Sequence, residues 1–272
     1  MDVVGVRAVR VPGSRAELAL GPRSLVVGGG SWVYSEAHHA GVDELVDLMG
    51  LGWEPLESAP GGGLRIAATC TIGQLVAVQP RAGWHPTMTP LFRQTADSLL
   101  MSWKIWQAAT VGGNLCLALP AGAMTGLLVA LDAEAIIWQA DDGERRMAVA
   151  DFVQGVQTTA LGPGEVLRAI ELPAAALAAR GALKRASLAP TGRTGSLLVG
   201  RRTGDGSVVM SVTGATSHPH RFWFPELPTP GKLHETILSA VGDTWFDDPH
   251  GSPDWRRAVT LVLAEELLGD LA

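Results

Sequence analysis

Apolar residues in this chain come in short runs punctuated by glycine and proline, and their spacing changes along its length. Ser24-Leu25-Val26-Val27 stops in Gly28-Gly29-Gly30-Ser31, the pattern of a strand feeding a glycine turn. Asp43 to Leu51 puts Leu45, Leu48 and Met49 on one face and predicts a short helix. Leu64-Arg65-Ile66-Ala67 predicts a strand. Thr71-Ile72-Gly73-Gln74 then fits a capping box, in which the threonine oxygen takes the amide three residues on, opening a helix that runs towards Gln79. Pro90, in a first turn, precedes Phe92, Ala96, Leu99, Trp103 and Trp106, spaced by four and three, which predicts a core-facing helical stripe.

Past Asp132 the period shortens to that of strands. Ala135 to Trp138 and Arg146 to Val149 flank Asp142-Gly143 as a hairpin, Asp151-Phe152 opens another short segment, and Glu165 to Leu172 is a strand ended by Pro173. An Ala-rich stretch follows, and a new unit starts near Leu183. Strands are expected at Leu183 to Leu188, Ser196 to Arg201, Val208 to Ala215 and Arg221 to Phe224. Helices are expected at Gly231 to Val241 and Trp255 to Leu271, the last with Trp255, Val259, Val262, Leu263 and Leu267 on one face. Strands grouped before helices predict an α+β fold.

The length of 272 residues allows one large domain or two to three small ones, with a core large enough to need no staple. Two isolated cysteines, Cys70 and Cys116, give neither a disulfide framework nor a zinc site, and an iron–sulfur cluster needs about four such ligands. A net charge of −6 leaves no electrostatic footprint for nucleic acid. The N-terminal residues lack the apolar core of a secretory signal, so a cytoplasmic location is expected. From Ile105 to Leu131 there is no charge, a length that could span a bilayer, but Gly112, Gly113, Asn114, Pro120, Gly122 and Gly126 interrupt it. A backbone break facing lipid leaves polar groups unsatisfied, so no membrane span is expected and the run is read as buried core beside a cofactor.

Candidate chemistry concentrates in two glycine loops. Gly112 and Gly113, between Thr110 and Asn114, remove two β-carbons in succession and place a hydroxyl and a carboxamide beside amides that a ligand can approach. Gly28 to Ser31 offers a second set of amides, yet it is not the dinucleotide fingerprint, because Val33 stands where the sixth position needs glycine. Both segments also read as ordinary turns. His38-His39, His218 and His220 lack acidic or thiol company at ligand spacing, which favours surface or satisfied histidines over a metal site. Arg201-Arg202 is either a solvated strand end or a face for an anionic electron acceptor. With no nucleophile elbow and no paired carboxylates, any chemistry falls to a bound cofactor.

The stretch from Ala108 to Ala133, AATVGGNLCLALPAGAMTGLLVALDA, with Val27-Gly-Gly-Gly-Ser31, Thr71-Ile-Gly-Gln74, GEVLRAIELP and LKRASL, resembles the FAD-binding (medium) subunit of molybdenum hydroxylases, the xanthine dehydrogenase and carbon monoxide dehydrogenase family. The resemblance spans nearly the whole chain. It implies a two-subdomain FAD-binding fold of the PCMH, vanillyl-alcohol-oxidase-like kind, with subdomains at 1–55 and 56–175, and a smaller α+β C-terminal domain with an antiparallel sheet at 176–272. It implies that the amides of Val27, Gly28, Gly29, Gly30 and Ser31 grip the FAD pyrophosphate, that Thr110, Val111, Gly112, Gly113 and Asn114 hold its second side, and that Leu167 and Lys184 lie near the flavin. No residue of this chain is implied as catalytic. Molybdenum pterin is implied on a large partner subunit and [2Fe-2S] clusters on a small one, in a dimer of heterotrimers that delivers electrons through FAD to NAD, oxygen or a quinone.

Two departures stand out. Leu119-Pro120-Ala121-Gly122-Ala123 puts Ala123 where relatives often carry aspartate, removing a hydrogen bond worth roughly 1.5–3 kcal/mol if charged. Ala189 to Gly195 replaces an Arg-rich run. A free-standing FAD oxidoreductase of the same fold and a flavin-free structural subunit are the alternatives.

Overall fold

In the computed structural model, residues 3–36 and 39–272 are described, so His38 lies outside the described residues. The chain forms three main sheets in succession. Strands β1 (Ala8–Arg10), β2 (Ser24–Val27) and β3 (Glu44–Asp47) make a small parallel sheet in the order β1-β3-β2. The predicted helix from Asp43 to Leu51 is therefore wrong: its first half is β3 and its second a 3-10 turn, Leu48–Leu51, with the Asp47 carboxylate accepting from the Met49 amide. Leu45 and Val46 are both buried, as happens in a central parallel strand covered on two faces and not on a one-sided helix.

The second sheet is antiparallel. It contains β4 (Leu56–Ser58), β5 (Leu64–Ala67), β6 (Glu134–Trp138) and β7 (Glu144–Ala148). A separate pair, β8 (Val153–Gly155) and β9 (Thr158–Thr159), intervenes before its last member, β10 (Val166–Leu172), and the order is β4-β5-β10-β6-β7. Helices α1 (Ile72–Val76), α2 (Met88–Asp97), α3 (Trp103–Trp106), α4 (Val111–Leu117) and α5 (Ala123–Ala130) fill the crossover between β5 and β6.

The capping box at Thr71 is present in both directions, but α1 stops at Val76, short of Gln79. The stripe from Phe92 to Trp106 is not one helix. Thr95 and Ser98 turn their hydroxyls back onto the carbonyls of Leu91 and Gln94, at 2.8 and 2.9 Å, a bonding mode that weakens the helix there. The chain leaves the helix at Ser98 and re-enters at α3, leaving Trp103 66% exposed. The charge-free run becomes core only beyond Ala108: Ile105, Gln107 and Ala108 itself are exposed, whereas every residue of α5 is buried, as expected of a helix apolar on all sides.

After α6 (Val149–Phe152) and α7 (Ala174–Leu177), a four-stranded antiparallel meander runs β11 (Arg180–Ala186), β12 (Ser196–Arg202), β13 (Val208–Thr213) and β14 (His220–Phe224). Helix α5 lies on one face with α2 at the β11 edge; α9 (Pro253–Leu271) lies on the other, with α8 (Pro230–Val241) beside it. Covered on both faces, β13 is buried throughout. The buried face of α9 is rotated from the expected one. Val262 is exposed, and Arg256, Thr260, Leu263, Ala264, Leu267, Leu268 and Leu271 point inward. Arg256 earns its place by donating to the carbonyls of Gly251, Gly195 and Gly214 and to Asp248. Leu197 and Val199 of β12 join the same core cluster as the residues of the second sheet, so that core runs across both.

Candidate functional site

The first glycine loop is positioned by β2, whose last residue, Val27, is buried in the small N-terminal core. The backbone then turns through positive φ at Gly29 and Gly30, 78° and 70°. A β-carbon at Gly29 would run into the Ala108 carbonyl oxygen, and one at Gly30 into the Tyr34 ring. The loop therefore lies directly against the backbone that leads into the second loop.

Thr110 joins the two. It is the N-cap of α4, is 1% exposed, and its hydroxyl oxygen accepts from the Gly113 amide at 2.9 Å while donating to the Gly28 carbonyl at 3.1 Å. One hydroxyl thus fixes two loops 82 residues apart. A third wall comes from the end of β5. The amides of Val111 and Gly112 donate to the carbonyls of Cys70 and Ala68 at 2.8 and 3.0 Å, and the Ile72 amide donates to Ala109 at 2.8 Å. A β-carbon at Gly112 would sit 2.6 Å from the Ala68 backbone, so this glycine permits contact between helix and strand end.

With the Asn114 amide bonded to the Thr110 carbonyl, the four amides from Val111 to Asn114 are all used within the protein. The donors left for a ligand lie in the first loop: among the described residues the amides of Gly29, Gly30, Ser31 and Trp32 reach no protein acceptor. Asn114 also has internal work. Its Oδ1 accepts from the Met124 amide at 3.3 Å, capping α5, whose own N-cap is Gly122 and carries no side chain. Ala123 beside it is fully buried.

Leu167 is buried in the central core, immediately before a bulge in β10 at Arg168. Lys184 points to the α9 side of the C-terminal sheet, 3.0 Å from Asp270. Arg201 is not a solvated arginine or a free face for an acceptor: it is buried, donates to the Ala130 carbonyl, and pairs with Asp132, which also holds Arg221 at 2.6 Å. Burial pushes the Asp132 carboxyl up, and the hydrogen bonds from Arg221 and Arg201 outweigh it, leaving its pKa below the ordinary value. Burial pushes the Cys70 and Cys116 thiols up to about 12, so neither is a ready thiolate. Among the described residues no group of three or more His, Cys, Asp or Glu is placed to hold a metal, and no helix is long and apolar enough to cross a membrane.

Ala108, Tyr34 and the Ala68–Cys70 backbone were not foreseen as walls of the site.

The model of the family described as the FAD binding domain in molybdopterin dehydrogenase matches residues 14–175, which hold both glycine loops and the segment packed between them. The chain belongs to this family. Solved structures agree on the fold of the FAD-binding domain and beyond it. A reconstituted CO dehydrogenase from Oligotropha carboxidovorans superposes with a TM-score of 0.84 at 20% identity, over 100% of this chain and 99% of that one. Quinoline 2-oxidoreductase from Pseudomonas putida 86 gives 0.78 at 19% identity, over 100% of both chains. A curated xanthine dehydrogenase from Blastobotrys adeninivorans is 25% identical over 159 residues, 56% of this chain; the match spans 11% of that protein's length. The geometry fits the family's cofactor. Consecutive glycines at positive φ with unpaired amides form a neutral nest for an anion, and the FAD pyrophosphate is such an anion.

Proposed function

We propose that this chain is the flavoprotein subunit of a molybdenum hydroxylase complex, passing electrons from iron–sulfur clusters on a small partner subunit through FAD to an external acceptor. In this reading the large subunit carries the molybdenum pterin and oxidises the substrate, and the three chains assemble as a dimer of heterotrimers. NAD, oxygen or a quinone takes the electrons. FAD supplies the redox chemistry, and the protein binds and orients it. The amides from Val27 to Ser31 hold the pyrophosphate. Residues 110 to 114 brace that loop and flank the cofactor, with Leu167 and the strand of Lys184 towards the flavin end. The observation that carries the reading is the Thr110 bridge, which holds a loop of free amides rigid and open. Two cysteines, both with thiols held protonated by burial, support a division of labour in which the clusters reside on another chain. The units 1–55, 56–175 and 176–272 each contribute one main sheet in support of a three-part organisation.

The test is the visible spectrum of the chain purified alone and with its candidate partners, followed by anaerobic addition of the complex's substrate. Flavin bands near one per chain that bleach only when the iron–sulfur partner is present are expected. A folded chain that takes up no flavin under either condition favours the structural subunit. Bleaching of the isolated chain by its own substrate favours the free-standing oxidoreductase.

A further inference from the structure

We propose that residues 1–55 form a hinged cover over the FAD cleft, and that a clasp of two arginines on two tryptophans sets how often it opens. The proposal rests on the FAD reading above. The way the three units are joined carries it. Leu197 and Val199 of the C-terminal sheet share the central core, so that unit is fused to its neighbour. The N-terminal unit has a small core of its own, on Val27, Val33 and Leu45, and among the described residues no strand or helix of it packs broadly on a strand or helix of the rest. Units joined without a shared apolar core move relative to one another by default. Yet the cover carries the free amides of residues 29–32, so its position decides whether the pyrophosphate site is assembled.

Two seams hold the cover. One is the Thr110 bridge to Gly28, with Gly29 against Ala108. The other is the clasp. Arg15 reaches the tip of the β6–β7 hairpin, where its Nη2 donates to the Gly143 carbonyl at 2.5 Å, its Nε lies 3.8 Å from Asp142, and its guanidinium sits 4.5 Å over the Trp138 ring. Arg10 pairs with Glu44 of β3 and donates to the carbonyls of Glu17 and Ala19, so a pull on Arg15 reaches the parallel sheet. Trp53, in the connection from β3 to β4, meets Trp138 edge to face with ring centres 5.2 Å apart. Arg168, at the β10 bulge, lies 4.3 Å over Trp53 and 5.7 Å over Trp138, and its guanidinium reaches no hydrogen-bond acceptor among the described residues. A directional bond would fix one angle. Cation–π attraction persists to about 6 Å from a ring centre, so the rings can slide under the cations while the connection turns.

The experiment measures FAD uptake and release by stopped-flow flavin fluorescence on the chain, alone or with its candidate partners, in Arg15→Gln and Trp138→Leu, with thermal melting to confirm folding. Losing a partly exposed cation–π contact from the closed form opens the cover about two- to fivefold more often. Entry and exit both pass through the open form, so both rates are expected to rise by that factor while the equilibrium affinity changes less than either. Arg146→Gln, on the same hairpin but bonded within the second sheet to Glu171, is expected to leave both rates unchanged. Release that quickens with uptake unchanged is a plain loss of affinity and overturns the cover, as do unchanged rates in both clasp variants or an equal rise in Arg146→Gln. Those outcomes leave the FAD reading intact. A wild-type chain that takes up no flavin with its partners overturns both. Should Trp138→Leu fail to fold, Arg15→Gln, whose side chain is partly exposed, decides alone.

Discussion

Replacing Thr110 with valine removes one oxygen from a nearly isosteric side chain and tests the junction between the loops. The hydroxyl makes two bonds, accepting from Gly113 and donating to Gly28. Losing the N-cap bond costs about 1 kcal/mol. The Gly28 carbonyl also loses its partner, a loss of about 1–3 kcal/mol when the group is buried; Gly28 is half-buried, so water limits the loss to the low end. The sum is about 2–3 kcal/mol, against about 1 kcal/mol for Thr71→Val, which removes the cap of α1 but no bond to the first glycine loop. Urea denaturation of the apo-chains measures these losses. Flavin affinity separates the roles further: Thr110→Val frees the first loop to move and is expected to weaken FAD about tenfold, roughly 1.4 kcal/mol, in a quenching titration. Equal stability losses in the two variants, with FAD affinity unchanged in both, would refute the bridging role.

Gly29→Ala is expected to fold and lose flavin, because the new β-carbon meets a backbone carbonyl that has no rotamer to yield; Gly52→Ala, also at positive φ but with open space around it, is expected to pay only the left-handed cost of about 1–2 kcal/mol and keep its absorbance. Asp248→Ala leaves the guanidinium of Arg256, 1% exposed, without its carboxylate, and a loss of about 3–5 kcal/mol should appear in the urea midpoint. Burial, with a smaller contribution from His218, lowers the His220 pKa from 6.5 to about 4. The unfolded chain then binds a proton that the folded one refuses, so this group makes stability fall as pH drops from about 6.5 towards about 4; a melting series in which His220→Gln shows the same slope over that window would contradict the assignment.

The strands of the C-terminal meander were legible because each is a run bounded by turn residues, and the antiparallel hairpin at Asp142-Gly143 announced itself by its turn chemistry. Single periods misled where a segment changed structure partway. Leu45, Leu48 and Met49 fit a helical face by spacing, yet the decisive fact was Val46 buried next to Leu45, which depends on neighbours on both sides of β3. The long α2–α3 stripe kept its period across a break, because Thr95 and Ser98 are neutral in a hydropathy pattern and act only through their hydroxyls. Arg201 read as a solvated strand end or a face for an anionic acceptor, and Arg256 drew no reading; only long-range contacts reveal the carbonyls and carboxylates that bring them inside. In the site, both glycine loops were visible in sequence. Their unequal use was not, since whether an amide is free depends on Cys70 and Ala68 arriving from another element.

That inequality explains why the second loop needs so much apolar structure behind it. In the proposed reading the first loop gives its amides to the FAD pyrophosphate, and it has only a small core beneath it, built on Val27, Val33 and Leu45, so its rigidity is borrowed. Thr110 lends it, and Thr110 is fixed by α4, whose first amides are spent on β5 and whose Asn114 caps α5. Helix α5 is in turn wedged against β12 and β13, where the Ser211 hydroxyl donates to the Gly126 carbonyl at 2.7 Å and Arg201 closes the Ala130 end. The path from the free amides of residues 29–32 to the C-terminal sheet is therefore a chain of specific bonds through a shared core. A C-terminal sheet that only covered the cofactor would not need to bond to both the middle and the C-terminal end of α5. The contacts at Gly126 and Ala130 make it part of the frame that sets the spacing of the two loops.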